Sequence, residues 1–343
     1  MDNVIDFGPA FRSSSQRIQN ERSRRLEAAK GLLSFGVHYL NVALGGVAKN
    51  DLILIGAKTN KGKTELCSII ATANAMKGKH VHYFALEAEE DEIERRAKFR
   101  LLSKLVPRNR ESIQRLNYLD WLYGRVDDLT RPYEESAEKA FADQFRTLHT
   151  LYRRGQFSIE DLEKQLLAVQ DQTDLVIIDH LHYIDAPEEN ENRGYKRIVQ
   201  KIRDLSLDIG KPVIVVAHVR KGDRKVNSLV PTIEDFHGTS DVPKIATKAV
   251  MIAPADDIPS EESYLWNTYV AIQKCRPDGQ RTKYVAVIEF NARFGCYERS
   301  YRLGRLKNLG ENWEDVDRSQ WPAWANVPSE SHTPAYGTPL ERT

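Results

Sequence analysis

The sequence predicts an α/β fold: a mostly parallel sheet with helices on both faces. Three observations predict it. Four short runs are nearly all apolar: DLILIG (51–56), HVHYFAL (80–86), DLVIIDHLHYI (174–184) and PVIVVAH (212–218). Segments of helical length separate them. Continuous apolar runs, unlike alternating ones, mark strands buried on both faces, and such strands need helices on each side.

Residues 1–13 read as irregular, and 14–30 as a polar, Arg-rich helix with a serine-rich start. That helix has too few apolar positions to stand alone and needs something to dock on. LLSFGVHYLNVALGG then forms a short amphipathic element closed by Gly45 and Gly46. After the first strand, 63–78 is helical and stops at Gly78; after the second, one long helical stretch fills roughly 90–170. Residues 194–210 make an amphipathic helix closed by Gly210. Three further strands, 248–253, 267–275 and 283–291, follow so closely that an antiparallel C-terminal extension is expected. The tail is rich in Pro, Ser, Thr and Glu, which points to irregular chain. It also holds Trp313, Trp321 and Trp324, three of the five tryptophans, so part of it is expected to dock. The expected division is an N-terminal segment (1–30), a main α/β domain (31–305) and a Trp-containing, largely irregular tail (306–343).

The bulk composition narrows the class. A chain of 343 residues can bury a sizeable core. Its formal net charge is +1, which leaves room for a local basic face offset by acid elsewhere. The three cysteines, Cys67, Cys275 and Cys296, have neither zinc-type spacing nor a disulfide framework, so a reducing, cytoplasmic setting is expected. The first residues lack the order of a signal peptide, and no apolar run approaches the ~20 residues of a membrane span.

Between the first strand and its helix lies Ala57-Lys-Thr-Asn-Lys-Gly62-Lys63-Thr64. A phosphate-binding loop needs inward-pointing N–H groups, a lysine for the β/γ-phosphates and a hydroxyl for Mg²⁺. Asn60, Lys61, Gly62, Lys63 and Thr64 supply these, with Ala57 standing where the usual pattern has its first glycine. Asp179 ends LVIID and is the expected acid for the metal beside Thr64. Glu87 directly ends the neighbouring strand, where a carboxylate can polarise an attacking water. His218 ends VIVVAH at the same edge and can hydrogen-bond a γ-phosphate. His180 and His182 flank the acid strand's end; strand alternation lets at most one face the site, and no metal role is expected for the pair.

These motifs together resemble the RecA-like ATPase domain of DnaB-type hexameric replicative helicases and phage primase–helicases, a P-loop NTPase core. DLILIGAKTNKGKTE resembles the family's P-loop segment, and YFALEAEEDEIERR its second motif, in which a Glu follows a strand. DLVIIDHLHYI resembles the acid strand, with His182 in place of the usual Gln; VIVVAHVRK is similar to the phage type, where a His ends the strand. TIEDFHGTSD resembles the segment before the next strand, with His237 and Thr239 in place of an Arg and a small residue. AIQKCRPDG resembles the finger strand, which gives Lys274 and Arg276. The resemblance runs over roughly residues 31–305.

It implies ATP and Mg²⁺ as ligands and a homo-oligomer, expected to be hexameric, in which Lys274 and Arg276 enter the neighbour's nucleotide site. It implies that the loop after His218 faces a central channel, where Arg220, Lys221, Arg224 and Lys225 contact single-stranded DNA. About fifty residues precede the P-loop, so no collar domain is expected, and ring formation is expected to rest on the motor, the 14–30 helix, or a loader, collar or primase protein in trans. Two functions stay open: a DNA-translocating helicase, and a non-unwinding RecA-like DNA-dependent ATPase in recombination, repair or regulation. A small-molecule kinase is set aside for want of an acceptor-binding lid.

Overall fold

The computed structural model describes residues 14–107, 109–185, 191–219, 228–236 and 242–326. Its strands are β1 (Leu52–Ala57), β2 (Val81–Ala85), β3 (Leu148–Tyr152), β4 (Leu175–Asp179), β5 (Val213–His218), β6 (Lys248–Pro254), β7 (Leu265–Cys275), β8 (Val285–Asn291), β9 (Cys296–Lys307) and β10 (Asn312–Asp315). They form one sheet in the order β10-β9-β8-β7-β6-β1-β5-β4-β2-β3. The six strands from β6 to β3 in that order run parallel, while β7 to β10 add on antiparallel. The mostly parallel sheet and the antiparallel C-terminal extension both match the sequence expectation.

The inner strands β1, β4 and β5 are apolar at every position before their last residue because both faces are covered. Ile53, Ile55, Leu175, Ile177, Ile214 and Val216 turn to one face, and Leu52, Leu54, Val176, Ile178, Val213 and Val215 to the other. The chain starts with α1 (Ser14–Ile18) and α2 (Glu21–Lys30), broken at Asn20, whose φ is 60°. The single helix expected over 14–30 is therefore two, and α2 buries no residue. α3 (His38–Leu44) and α4 (Lys63–Ala75) pack on the first face. The stretch expected as one long helix instead comprises α5 (Glu92–Leu105), α6 (Arg110–Arg115), α7 (Tyr118–Leu122), α8 (Glu134–Gln144), the edge strand β3, and α9 (Ile159–Val169). Among the described residues β3 pairs only with β2, and it is half-buried, so its five residues carry little of the apolar signal that announces an inner strand. α9 begins on a Ser158–Asp161 capping box and, with α10 (Glu191–Ile209), covers the second face; α11 (Val242–Ile245) precedes β6.

Two more expectations move. The run 174–184 stops being a strand at Asp179, and Leu181–Tyr183 is a 3-10 turn. The reason is pairing: β2 ends opposite Asp179 and the β5 ladder ends at Ile178, so nothing remains to bond a longer strand. The sheet also continues past residue 305, through the end of β9 and β10. The three tail tryptophans dock on their own domain. Trp313 Nε1 donates to the Val285 carbonyl, Trp321 stacks on Tyr301 at 5.2 Å, and Trp324 meets Tyr284 edge-on at 5.9 Å. All three cysteines are free, and among the described residues no helix is long and apolar enough to cross a membrane.

At the outer edge, His82 of β2 and His149 of β3 are register partners whose rings stack at 4.7 Å, and the Thr173 hydroxyl lies 3.0 Å from His82 Nδ1. Burial first, then His149 and His80, push the His82 pKa down to about 4. The unfolded chain protonates this ring near its ordinary 6.5 and the folded chain does not, so stability falls as pH drops from about 6.5 to about 4. His82→Gln is expected to flatten that part of the Tm-versus-pH curve; identical curves for variant and parent would show that His82 is not its source.

Candidate functional site

Parallel strands deliver their last residues to one edge, and four of them meet there. β1 ends at Ala57, register partner of His218 at the end of β5. Asp179 ends β4 opposite Ala85, and Glu87 follows β2 by two residues. The Leu86 and Glu87 N–H groups both donate to the Asp179 carbonyl, at 2.7 and 3.3 Å, which stitches the two carboxylate-bearing strand ends together.

The loop from Ala57 into α4 is exposed at Asn60, Lys61 and Gly62. Asn60 and Gly62 take positive φ, 58° and 83°. At Gly62 it is this left-handed turn into the helix, not crowding, that calls for glycine, since a Cβ there would meet nothing closer than 4.0 Å. Ala57 is fully buried and takes no positive φ, so its methyl costs the loop nothing. Gly56, one position early for the phosphate pattern, serves packing instead: a Cβ there would collide with Met251 Sδ and lie 2.8 Å from Phe236 Cε1.

Lys63 opens α4 and is buried, its Nζ donating to the carbonyls of Ala57 (3.3 Å) and Lys58 (3.0 Å). Burial lowers its pKa, while the charges of Glu87 and Asp179 pull it back up. Asp179 is only 2% exposed, and burial raises its carboxyl above the usual range; hydrogen bonding by Tyr83 and Thr64 works the other way. Tyr83 donates to Oδ2 at 2.7 Å. Oδ1 is buried and makes no hydrogen bond among the described residues. A buried carboxylate oxygen with spare acceptor capacity beside a threonine hydroxyl is a donor set that suits a hard, oxygen-seeking dication such as Mg²⁺.

The third part of the site is a Glu–His cluster. His180 Nε2 lies 2.9 Å from Glu87 Oε2, and that contact is the main cause of a lowered Glu87 pKa. The His180 ring sits edge-on to His218 at 4.0 Å, and His182 lies 5.5 Å from both. Strand alternation therefore does not separate His180 from His182, because the strand has already ended. Glu87, His180 and His218 present ligand-type atoms all within 4.8 Å of one another. Neither Tyr83 nor His180 was picked out as functional from sequence. A hydroxyl in a nearly apolar strand is a usable hint for Tyr83; for His180 the sequence places it beside the acid strand's end but cannot show its contact with Glu87, 93 positions away.

The remaining sequence candidates lie elsewhere. β7 runs against β6, so Lys274 is level with Ala249 and Leu54, and Cys275 with Lys248 and Ile53. At ~3.3 Å per residue, Lys274 stands roughly 10 Å, and Arg276 roughly 17 Å, short of Ala57 along the strands, with two strand spacings to cross as well. Lys274 Nζ donates to the Pro243 and Lys244 carbonyls, and Arg276 is exposed. Both thus face the sheet edge opposite the phosphate loop of their own chain. Arg220, Lys221, Arg224 and Lys225, and likewise His237 and Thr239, lie outside the described residues.

A family model described as DnaB-like helicase C terminal domain matches residues 32–298. A protein from Trieres chinensis called "Probable replicative DNA helicase" is 26% identical over 226 residues, covering 64% of this chain and 47% of that protein. The chain thus spans less than half the length of the curated relative it matches. Among solved structures, one described as an "ATPase Domain" aligns with a TM-score of 0.67 at 15% identity, covering 84% of this chain and 100% of the other. Another, described as "The Structure Of A DnaB-Like Replicative Helicase And Its Interactions With Primase", aligns at 0.64 and 16%, covering 84% and 67%. At such identities these two alignments speak for the fold.

Gly56 offers a test of the packing under the phosphate loop. Gly56→Ala must push aside Met251 and Phe236, both fully buried, and is expected to cost about 1–3 kcal/mol. The measurement is the midpoint of denaturant unfolding at unchanged slope; an unshifted midpoint would mean that the pocket has slack.

Proposed function

The chain belongs to the family of DnaB-like helicase C-terminal domains, and on that premise we propose that it is an ATP-hydrolysing motor. It assembles into a ring of identical subunits, expected to be six, and translocates on single-stranded DNA as a helicase. The observation that carries the proposal is the split between the two sheet edges. Lys63, Thr64, Glu87, Asp179 and His218 gather at one edge, whereas Lys274 and Arg276 lie at the other. Across a sheet built this way, Lys274 and Arg276 can serve such a site only from another copy.

In this reading, Lys63 and the loop N–H groups of Asn60 to Thr64 bind the β- and γ-phosphates. Thr64 and Asp179 hold Mg²⁺, which when bound neutralises phosphate charge. Glu87, kept ionised through its contact with His180, accepts hydrogen bonds from the attacking water and orients it. His218 hydrogen-bonds the γ-phosphate and senses its loss. Lys274 and Arg276 of the neighbouring subunit stabilise charge developing on the transferred group. Arg220, Lys221, Arg224 and Lys225 neutralise DNA phosphates, so binding weakens steeply with salt and shows little sequence preference. A loader, collar or primase-type protein acting in trans belongs to the same reading.

ATP-dependent strand displacement on a forked duplex tests the function. Hydrolysis stimulated by single strands with no displacement at any protein concentration would leave a non-unwinding ATPase and remove the helicase. The split site is tested by mixing. Arg276→Ala is expected to lower turnover ~10³-fold while nucleotide still binds. Lys63→Ala alone should be equally inactive. Mixed in equal amounts, the two should regain part of the parental ATPase, because some interfaces then pair an intact loop with an intact Arg276. A mixture no more active than its components would overturn the trans assignment.

A further inference from the structure

We infer that His180 is a positioning residue for the Glu87 carboxylate: its imidazole, held in one tautomer by the backbone, donates from Nε2 to Glu87 Oε2 and leaves Oε1 to receive the water. The inference rests on the reading of Glu87 given above and adds a residue to it.

Four observations support the pair. His180 Nε2 and Glu87 Oε2 are 2.9 Å apart. As placed, Nε2 makes no aligned hydrogen bond among the described residues, and catalytic contacts of this kind often tighten only with substrate bound. The backbone N–H of His182 donates to His180 Nδ1 at 3.3 Å, so Nδ1 is the accepting nitrogen and, in the neutral ring, the proton sits on Nε2, facing the carboxylate. The ring cannot readily swing away: its side chain is 2% exposed and wedged between His218 at 4.0 Å and Tyr183 at 4.8 Å. The Glu87 side chain, by contrast, is 39% exposed and without this contact would have rotamer freedom where a fixed carboxylate is needed. Burying a donor against a charged acceptor also gives a stronger bond than two neutral partners make.

The same three side chains, Glu87, His180 and His218, form a donor set that a Zn²⁺-type ion accepts. A metal on His180 Nε2 requires the proton on Nδ1, which would remove the acceptor of the His182 N–H. Once Nε2–H turns onto the carboxylate, the His180–Glu87 pair gives both ring nitrogens a partner, and the metal does not.

The experiment is single-turnover ATP hydrolysis, with nucleotide affinity measured separately, on the full chain carrying His180→Ala, His180→Gln, Glu87→Gln, or His180→Ala with Glu87→Gln. His180→Ala is expected to slow turnover on the order of 10- to 100-fold with nucleotide affinity little changed. His180→Gln, whose amide N–H reaches a similar point, should recover most of the loss. The double variant should be no slower than Glu87→Gln alone, since His180 acts only through that carboxylate. If His180→Ala slows the Glu87→Gln background as much as it slows the parent, or weakens nucleotide binding in proportion to turnover, the inference falls while the base assignment stands. If Glu87→Gln turns over like the parent, the base assignment falls and takes the inference with it. Should His180→Ala not fold, His180→Gln decides alone: near-parental turnover supports the pair, and turnover as low as that of Glu87→Gln overturns it.

Discussion

The common direction of six parallel strands is the constraint on which the rest of this molecule depends. Their ladders bring the ends of β1, β4 and β5, and the residue just beyond β2, to a single edge. Parallel pairing demands crossover helices, the helices bury both faces, and burial makes the strands continuously apolar. The phosphate loop, two carboxylates and a histidine therefore need no long-range coordination of their own. Each stands where its strand stops. The same geometry keeps Lys274 and Arg276 away from that edge, because β7 reverses direction.

Burial then sets the character of each charge at that edge. Asp179 and Lys63 are nearly inaccessible, and burial pushes their pKa values toward each other, the acid up and the base down. Their mutual attraction and the Tyr83 hydroxyl oppose that drift. Glu87 is more open, and its contact with His180 moves it in the other direction, toward the ionised form. Two carboxylates a few residues from each other's strand ends thus acquire different environments, one buried and polar-capped, one half-open and histidine-paired. Such a division suits a metal ligand and a water-orienting base.

At the other end of the sheet, the antiparallel strands broaden the domain and the tryptophans close it. Trp321 and Trp324 cover Tyr301, Tyr284 and Tyr39, and Arg281 and Arg318 lie against their rings at 4.5 and 5.8 Å. An irregular segment can dock firmly when its few aromatic side chains each bury a large area and find a partner for the indole N–H. Composition spoke for an open tail, and the aromatic content spoke against it. Up to Asn326 the aromatic content prevailed.

The sequence by itself determined the class of fold, the Ala57–Thr64 turn between β1 and α4, and the positions of Asp179 and His218 at their strand ends and of Glu87 just past β2. These follow from local patterns: continuous apolar runs, a Gly-Lys-Thr turn and a polar residue ending a strand. It did not disclose β3, because a half-buried edge strand has only one ladder and a weak pattern, nor β9 and β10, whose polar residues face outward. It misjudged the end of β4, because a strand's length is set by neighbours that pair with it and not by its own composition. The Tyr83–Asp179 bond, the role of Gly56 under the loop and the His180–Glu87 contact were decided only by tertiary structure. Each joins residues far apart in the chain, and their distance and orientation exist only once the sheet is assembled.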